Sequence, residues 1–274
     1  MCPPFYYVSL GLAPQSKSIS IPGGSPMKLR IVCLVIVFFS VVLSMHATSC
    51  NQDTVNGTYA KSAIGQLGKG YGAVVFLATN NAGSFSGVGA ENFNGTPYTH
   101  VTESGTYTVN ANCTFTSTTT DSNGNTIHFS GNIFGNGDEM VGISTDAGSA
   151  YQLTSYRLKK TQCTEASAKG SFVEDVQWPI TPYGPAIQTA QLTVSSKGAE
   201  SGSFVANVNN GTIESNTFTG TISMNSDCTF TTTEYTSGGG PTLNLFGVGG
   251  ISQNGVASLL IEIDSGWVGL FTRY

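Results

Sequence analysis

Gly105-Thr-Tyr-Thr-Val-Asn-Ala-Asn-Cys113-Thr-Phe-Thr116 returns downstream as Gly220-Thr-Ile-Ser-Met-Asn-Ser-Asp-Cys228-Thr-Phe-Thr231. Upstream of each copy a cysteine stands seven residues before a second shared motif: Cys50 before Gly57-Thr-Tyr59, and Cys163 before Gly170-Ser-Phe172. The cysteines recur at separations of 113 residues (50 to 163) and 115 residues (113 to 228). That period is too long for a solenoid repeat and suits a whole small domain. The chain therefore reads as two copies of one disulfide-closed unit, over 50–160 and 163–274.

Turn chemistry fixes what kind of unit it is. Asn-Gly, the strongest short hairpin signal, occurs at Asn56-Gly57, Asn94-Gly95, Asn123-Gly124, Asn136-Gly137, Asn210-Gly211 and Asn254-Gly255. Several are matched between the copies: Asn94-Gly95 with Asn210-Gly211, and Asn136-Gly137 with Asn254-Gly255, each of the latter followed nine residues on by Asp146 or Asp264. Gly83-Ser-Phe85 is matched here with Gly202-Ser-Phe204. Between the turns lie short runs rich in Thr, Val, Tyr, Phe and Ile, as strands require. In the first copy they predict strands near 57–63, 70–79, 83–91, 98–109, 113–120, 126–134, 138–145 and 150–158, with a similar set from 170 to 273. No segment holds a 3.6-residue apolar period. Hairpin following hairpin without a long crossover points to all-β, two tandem antiparallel up-and-down β-barrels of about eight strands each. β-Sandwiches are the alternative. The two residues between the last strand of copy one and Cys163 predict that the repeats pack on each other.

The ends and the composition set the compartment. Met27-Lys-Leu-Arg30 followed by the apolar run Ile31–Leu43 reads as a signal peptide over 27–47, with cleavage at Ala47. Residues 1–26 lack that logic and read as untranslated or disordered. The apolar run is shorter than the roughly 20 residues of a membrane span, so no membrane span is expected in the mature chain. Without residues 1–47, eight of the 11 basic side chains remain against all 16 acidic ones, a net charge of −8. Nucleic acid and anionic membranes need a basic surface and are excluded as partners. Charged residues make up only 10% of the chain, and Thr, Ser, Asn and Gly supply the polar surface instead.

Four cysteines remain, and four allow three connectivities. The repeat selects Cys50–Cys113 and Cys163–Cys228. Such bridges imply an oxidising compartment: secreted, periplasmic or cell-surface. Ala47-Thr-Ser-Cys50 is also a loose lipobox, but Cys163 holds the same repeat position and cannot be an N-terminal lipid anchor.

The pattern Gly-Thr-Tyr-x-Val-Asn-x-x-Cys-Thr-x-Thr, with a cysteine just ahead of Gly-Thr-Tyr, resembles that of uncharacterised exported bacterial proteins that carry the unit once. The resemblance implies a lipocalin- or allene-oxide-cyclase-like barrel and transfers no catalytic residue. Copy two departs from it at Ile222 and Met224, which implies that the two interiors differ.

Little else carries chemistry. His100 and His128 have no histidine counterpart in copy two, where residues 215–216 and Asn244 stand instead, and they read first as strand-surface residues. Asp121-Ser-Asn123-Gly-Asn125 has the opening ligands of a calcium loop, but Thr126 and Asn132 replace the glycine and glutamate it needs, so a hairpin turn is the reading. Asp138-Glu139 and Glu174-Asp175 are neighbours in sequence and face opposite sides of a strand, which disfavours a two-carboxylate site from either pair. There is no nucleophile elbow, zinc-protease motif or phosphate loop. No catalytic residue, metal site or cofactor is assigned, and an enzyme is the less favoured class. The Trp178-Pro-Ile-Thr-Pro-Tyr183-Gly-Pro185 segment predicts a loop at a barrel mouth or between the repeats, because prolines break a central strand. Trp178, Tyr183 and Trp267 are the candidate ligand-binding residues. The expected role is binding of a small apolar or carbohydrate ligand. A structural or adhesive module with filled barrels, and a cofactor-free isomerase or cyclase, are the alternatives. The last would need an inward titratable group, with Glu103, Glu214 and His128 the first candidates.

Overall fold

A computed structural model describes residues 49–274, apart from 160–161, 182–183, 209–210, 250–257, 265 and 267. The expected leader 27–47, the segment 1–26, Tyr183, Trp267 and the Asn254-Gly255 turn lie outside the described residues. The first unit opens with a 3-10 turn, η1 (Gln52–Val55). Eight strands follow: β1 (Gly57–Leu67), β2 (Gly70–Asn81), β3 (Ser84–Phe93), β4 (Thr96–Val109), β5 (Thr114–Asp121), β6 (Thr126–Phe134), β7 (Glu139–Ser144) and β8 (Ser149–Arg157). The second repeats this with η2 (Glu165–Ala168), β9 (Gly170–Ile180), β10 (Ala186–Val194), β11 (Ala199–Val208), β12 (Thr212–Met224), β13 (Thr229–Thr236), β14 (Thr242–Gly249), β15 (Ser258–Glu262) and β16 (Val268–Arg273). Each set of eight closes into an antiparallel barrel in which every strand pairs with its sequence neighbours and the last with the first. The tandem barrels expected from the repeat are the observed fold.

The turns explain the closure. Asn94 and Gly95 both take positive φ (51° and 78°), the geometry of a two-residue hairpin whose twist matches its strands. Ala82 and Gly83 do the same between β2 and β3, at 46° and 89°, without an asparagine to announce it. The cysteine motif is a turn as well. Cys113 and Cys228 sit at φ 62° and 71°, just ahead of β5 and β13 rather than inside them. Asn110 Nδ2 donates to Thr114 Oγ1 at 2.9 Å, and Asn225 Nδ2 to Thr229 Oγ1 at 2.9 Å. The threonine hydroxyls in turn donate to Asn112 Oδ1 (2.8 Å) and Asp227 Oδ1 (2.7 Å). The shared motif thus writes a self-bonded Asx turn that aims a cysteine. Both expected disulfides form, Cys50–Cys113 and Cys163–Cys228, each tying the chain ahead of its barrel to the fourth turn. They fit an oxidising, extracytoplasmic compartment. No helix among the described residues is long and apolar enough to cross a membrane.

Pairing corrects two readings. Phe85 stands opposite Gly105, and Glu200 opposite Gly220, so the repeat partner of Phe85 is Glu200 and not Phe204. The Gly-Ser-Phe match slips by four residues. The proline-rich segment is not all loop: β9 runs through Trp178 and Pro179 to Ile180, and β10 resumes at Ala186. Pro179 falls at the strand end, where a lost ladder bond is tolerated.

Period-two alternation fills each interior with one face of every strand. The first barrel packs Tyr59, Phe85, Tyr107, Phe115, Phe129 and Tyr151 together, under Val55 of η1. The second packs Trp178, Phe218, Phe230, Leu245, Leu260 and Phe271. A third apolar cluster joins the barrels: Ala60, Ala73, Val75 and Ala90 from the outer face of β1–β3 meet Phe246, Val248, Leu259, Ile261 and Val268 from β14–β16. Asn92 donates across this seam to the Glu262 carbonyl at 2.8 Å. The repeats pack on each other, as the short linker predicts.

Candidate functional site

Charge, not histidine, distinguishes the two interiors. In the second barrel, inward positions on four strands bring Glu174, Glu200, Glu234 and Arg273 together, all but sealed from solvent. Arg273 donates from Nε to Glu174 (2.6 Å), from Nη1 to Glu200 (3.1 Å) and from Nη2 to Glu234 (2.8 Å). Thr232 donates its hydroxyl to the other oxygen of Glu200. One cation facing three carboxylates cannot neutralise all of them in a low-dielectric interior. Burial raises the pKa of Glu174 and raises Glu234 well above the usual carboxylate value, against the pull of Arg273. Burial opposes the charge on Arg273, but the carboxylates together hold its pKa above the ordinary guanidinium value. The Glu174 and Glu234 shifts favour the protonated form of these two carboxyls over a full set of charges around one cation. Glu262, fully buried on β15, is pushed up to about 10 by burial and by the nearby Asp264.

The first barrel solves the same cross-section with other residues. Lys61, at the position of Glu174, is ion-paired to Glu103 at 2.7 Å and lies 4.5 Å from the Phe85 ring centre. Ser155 occupies the place of Arg273, since Met140 pairs with Ser155 where Ser258 pairs with Arg273. Glu91 lies nearby and is pushed to about 8 by burial and by Asp121.

The room inside the barrels differs at matched positions. At the η1 end of the first barrel the cavity is only about 30 Å³, among Val55, Tyr59, Phe115 and Met140. At the η2 end of the second barrel the matching space is about 270 Å³, among Phe172, Val194, Ile222, Met224 and Phe230, with Ser258 and Arg273 at its polar side. Substitutions at matched positions widen it: Ala168 stands for Val55, Ser258 for Met140, Ile222 for Tyr107, and Phe172 for Tyr59. Tyr59 is bolted in place, donating to the Gly137 carbonyl at 2.6 Å and accepting from Arg157 Nε at 3.0 Å. Phe172 has no hydroxyl to anchor.

The sequence-derived candidates fall elsewhere. Trp178 is buried in the second barrel, edge-on to Phe271 with ring centres 5.3 Å apart, and a Cβ at Gly269 would collide with its indole. One edge of it borders a groove of about 530 Å³ between the barrels, with Ile64, Tyr71, Gln152, Gln177 and Ile187. His100 is an exposed bulge residue at φ 59°, the one extra residue that β4 carries over β12. His128 is exposed and paired through Nδ1 to Asp146 at 2.7 Å, and Asp146 also accepts the His128 backbone N–H. Asn244 and Asp264 repeat that geometry at 2.9 and 2.8 Å, which makes it a strand clamp. Glu103 does point inward, whereas Glu214 is exposed. Asp121 accepts the backbone N–H groups of Asn123 and Asn125, so its carboxylate is used by the turn. The Arg273 cluster and Ser258 were missed. Their only signal in the sequence is a charged residue at alternate places in an apolar strand, and it becomes readable only once the inward face is known.

Comparison with protein-family models and with curated proteins finds no match for the chain.

Proposed function

We propose that the chain is an exported binding protein in which the second barrel takes one small, mostly apolar molecule through its η2 end, while the first barrel is a filled structural partner. The observation that carries this is the contrast between about 270 Å³ and about 30 Å³ at matched places in one fold. An eight-stranded barrel has room for its own side chains or for one small ligand, and the two halves take one option each. Phe172, Val194, Ile222, Met224 and Phe230 would hold an apolar body, and Ser258 would meet an uncharged polar head. Among the described residues, Arg273 is the one buried ionisable group bordering the space, and three carboxylates already engage it. That favours binding over the isomerase or cyclase reading, which needs a group free to move protons.

The test is native mass spectrometry of protein purified from its source, paired with methyl NMR titration using hexanol, octanol and decanol. A retained mass on the protein, or shifts confined to Ile222 and Met224, is the expected result. Ser258→Phe, which restores a bulky plug, should remove both. No added mass and no methyl shift with any alcohol would leave both barrels as filled structural modules.

A further inference from the structure

The second barrel carries, unoccupied, the surface by which the first one docks. Strand pairing maps β1–β3 onto β9–β11: Ala60 onto Val173, Ala73 onto Ile187, Ala90 onto Val205 and Asn92 onto Asn207. The first member of each pair is buried in the seam between the barrels. In the second barrel these positions are apolar again and larger, yet Val173, Ile187 and Val205 are 45%, 62% and 48% exposed. Ile213, 64% exposed, extends the patch, because Asn207 pairs with Ile187 on one side and with Ile213 on the other. Asn92 spends its amide on a carbonyl of the opposing barrel, whereas the buried Oδ1 of Asn207 meets no donor among the described residues. The outward positions of β9–β12 otherwise hold Ser, Thr, Gln and Ala, with Asp175 as their one ionisable side chain. A core poor in charge is what separates protein interfaces from ordinary surface.

We propose that this face joins two copies of the chain. Its repeat equivalent is covered by a barrel of the same fold, so a barrel of this fold is the occupant its shape already accommodates. Two arrangements follow from that. In a head-to-tail array the face would need a second copy of the β14–β16 surface, and the equivalent surface on β6–β8 of the first barrel keeps only part of its apolar character, with Val141 and Ile143 at the places of Leu259 and Ile261. Ser130, Asn132 and Gln152 stand there for Phe246, Val248 and Leu270. The patch therefore meets itself across a two-fold axis and closes as a dimer, the commonest symmetry of soluble oligomers.

Sedimentation velocity on the oxidised protein over a wide concentration range tests it. The expected result is a monomer–dimer equilibrium. Ile187→Glu and Val205→Glu should each weaken it by about tenfold or more, as loss of a central interface anchor does. Ile143→Glu, on the exposed face of β7, should leave it unchanged. Circular dichroism and free-thiol assay confirm that each variant is folded and bridged. A monomer at every concentration overturns the proposal, as does a dimer indifferent to both variants. Dissociation caused by Ile143→Glu would replace it with the head-to-tail array.

Discussion

At the scale of single residues, buried carboxylates govern how this protein responds to pH. Glu262 has an ordinary pKa near 4.5 in an unfolded chain and about 10 in its buried site. A carboxyl raised on folding makes the native state bind more protons, so its contribution falls as pH climbs from about 4.5 toward 10. Glu91, Glu174 and Glu234 shift in the same direction. Stability measured by urea titration should thus be higher near pH 5 than near pH 9, and Glu262→Gln should flatten that slope by removing one of its terms. A slope unchanged in Glu262→Gln would mean that this side chain is ionised in the fold. Arg273 is the opposite case. Arg273→Met leaves three sealed carboxylates without their cation, a change that costs about 3–5 kcal/mol when one partner of a buried ion pair is lost. The same measurement, made at neutral pH, checks it. None of these five residues could be picked out beforehand. Glu174 was recognised as facing away from Asp175, but the direction of the core was not fixed by two acids standing side by side.

At the scale of strands and turns, the chain was far more legible. Strand edges in the first barrel follow the Asn-Gly and Gly-containing turns to within a few residues, because positive-φ geometry and β-branched runs are local signals. The cysteine pairing was legible for the same reason, since the repeat reduces three connectivities to one. What failed was whatever a distant partner decides. Gly202-Ser-Phe204 looks like Gly83-Ser-Phe85, yet hydrogen bonding to β12 sets its register four residues away, and the pocket's Ser258 gains its meaning only from pairing with Arg273. The prolines of its segment point to a loop for Trp178, whereas the end of β9 accepts Pro179 and the interior takes the indole. The histidines give a test at this scale. Since Asn244–Asp264 does in the second barrel what His128–Asp146 does in the first, His128→Asn should change stability by no more than about 0.5 kcal/mol, the range of neutral surface substitutions. A larger loss, seen by thermal melting, would show a role for the imidazole beyond clamping β6 to the loop after β7.

At the scale of the whole molecule, two copies of one fold differ in how far their interiors are filled, and the proposed function divides stability and binding between them. The first barrel keeps Val55, Tyr59 and Met140 at its η1 end, and the second has traded them for smaller or unanchored side chains. The cavity forfeits packing in its own barrel, so the second barrel gains most from a neighbour. That neighbour is the seam in which Ala90 and Leu259 are buried, 0% and 1% exposed. Small alanines on β1–β3 let the two sheets approach closely, and a charged side chain there would be stranded in an apolar seam. The intact protein should therefore melt in one calorimetric transition. Ala90→Glu should split it into two, with the lower one assigned to the second barrel by loss of Trp178 fluorescence anisotropy or of its near-ultraviolet dichroism. Both disulfides remain closed in that variant, so the split would report the seam and not the bridges. If Ala90→Glu instead lowers a single transition uniformly, cooperativity runs through the linker ahead of Cys163, and the seam is contact without coupling.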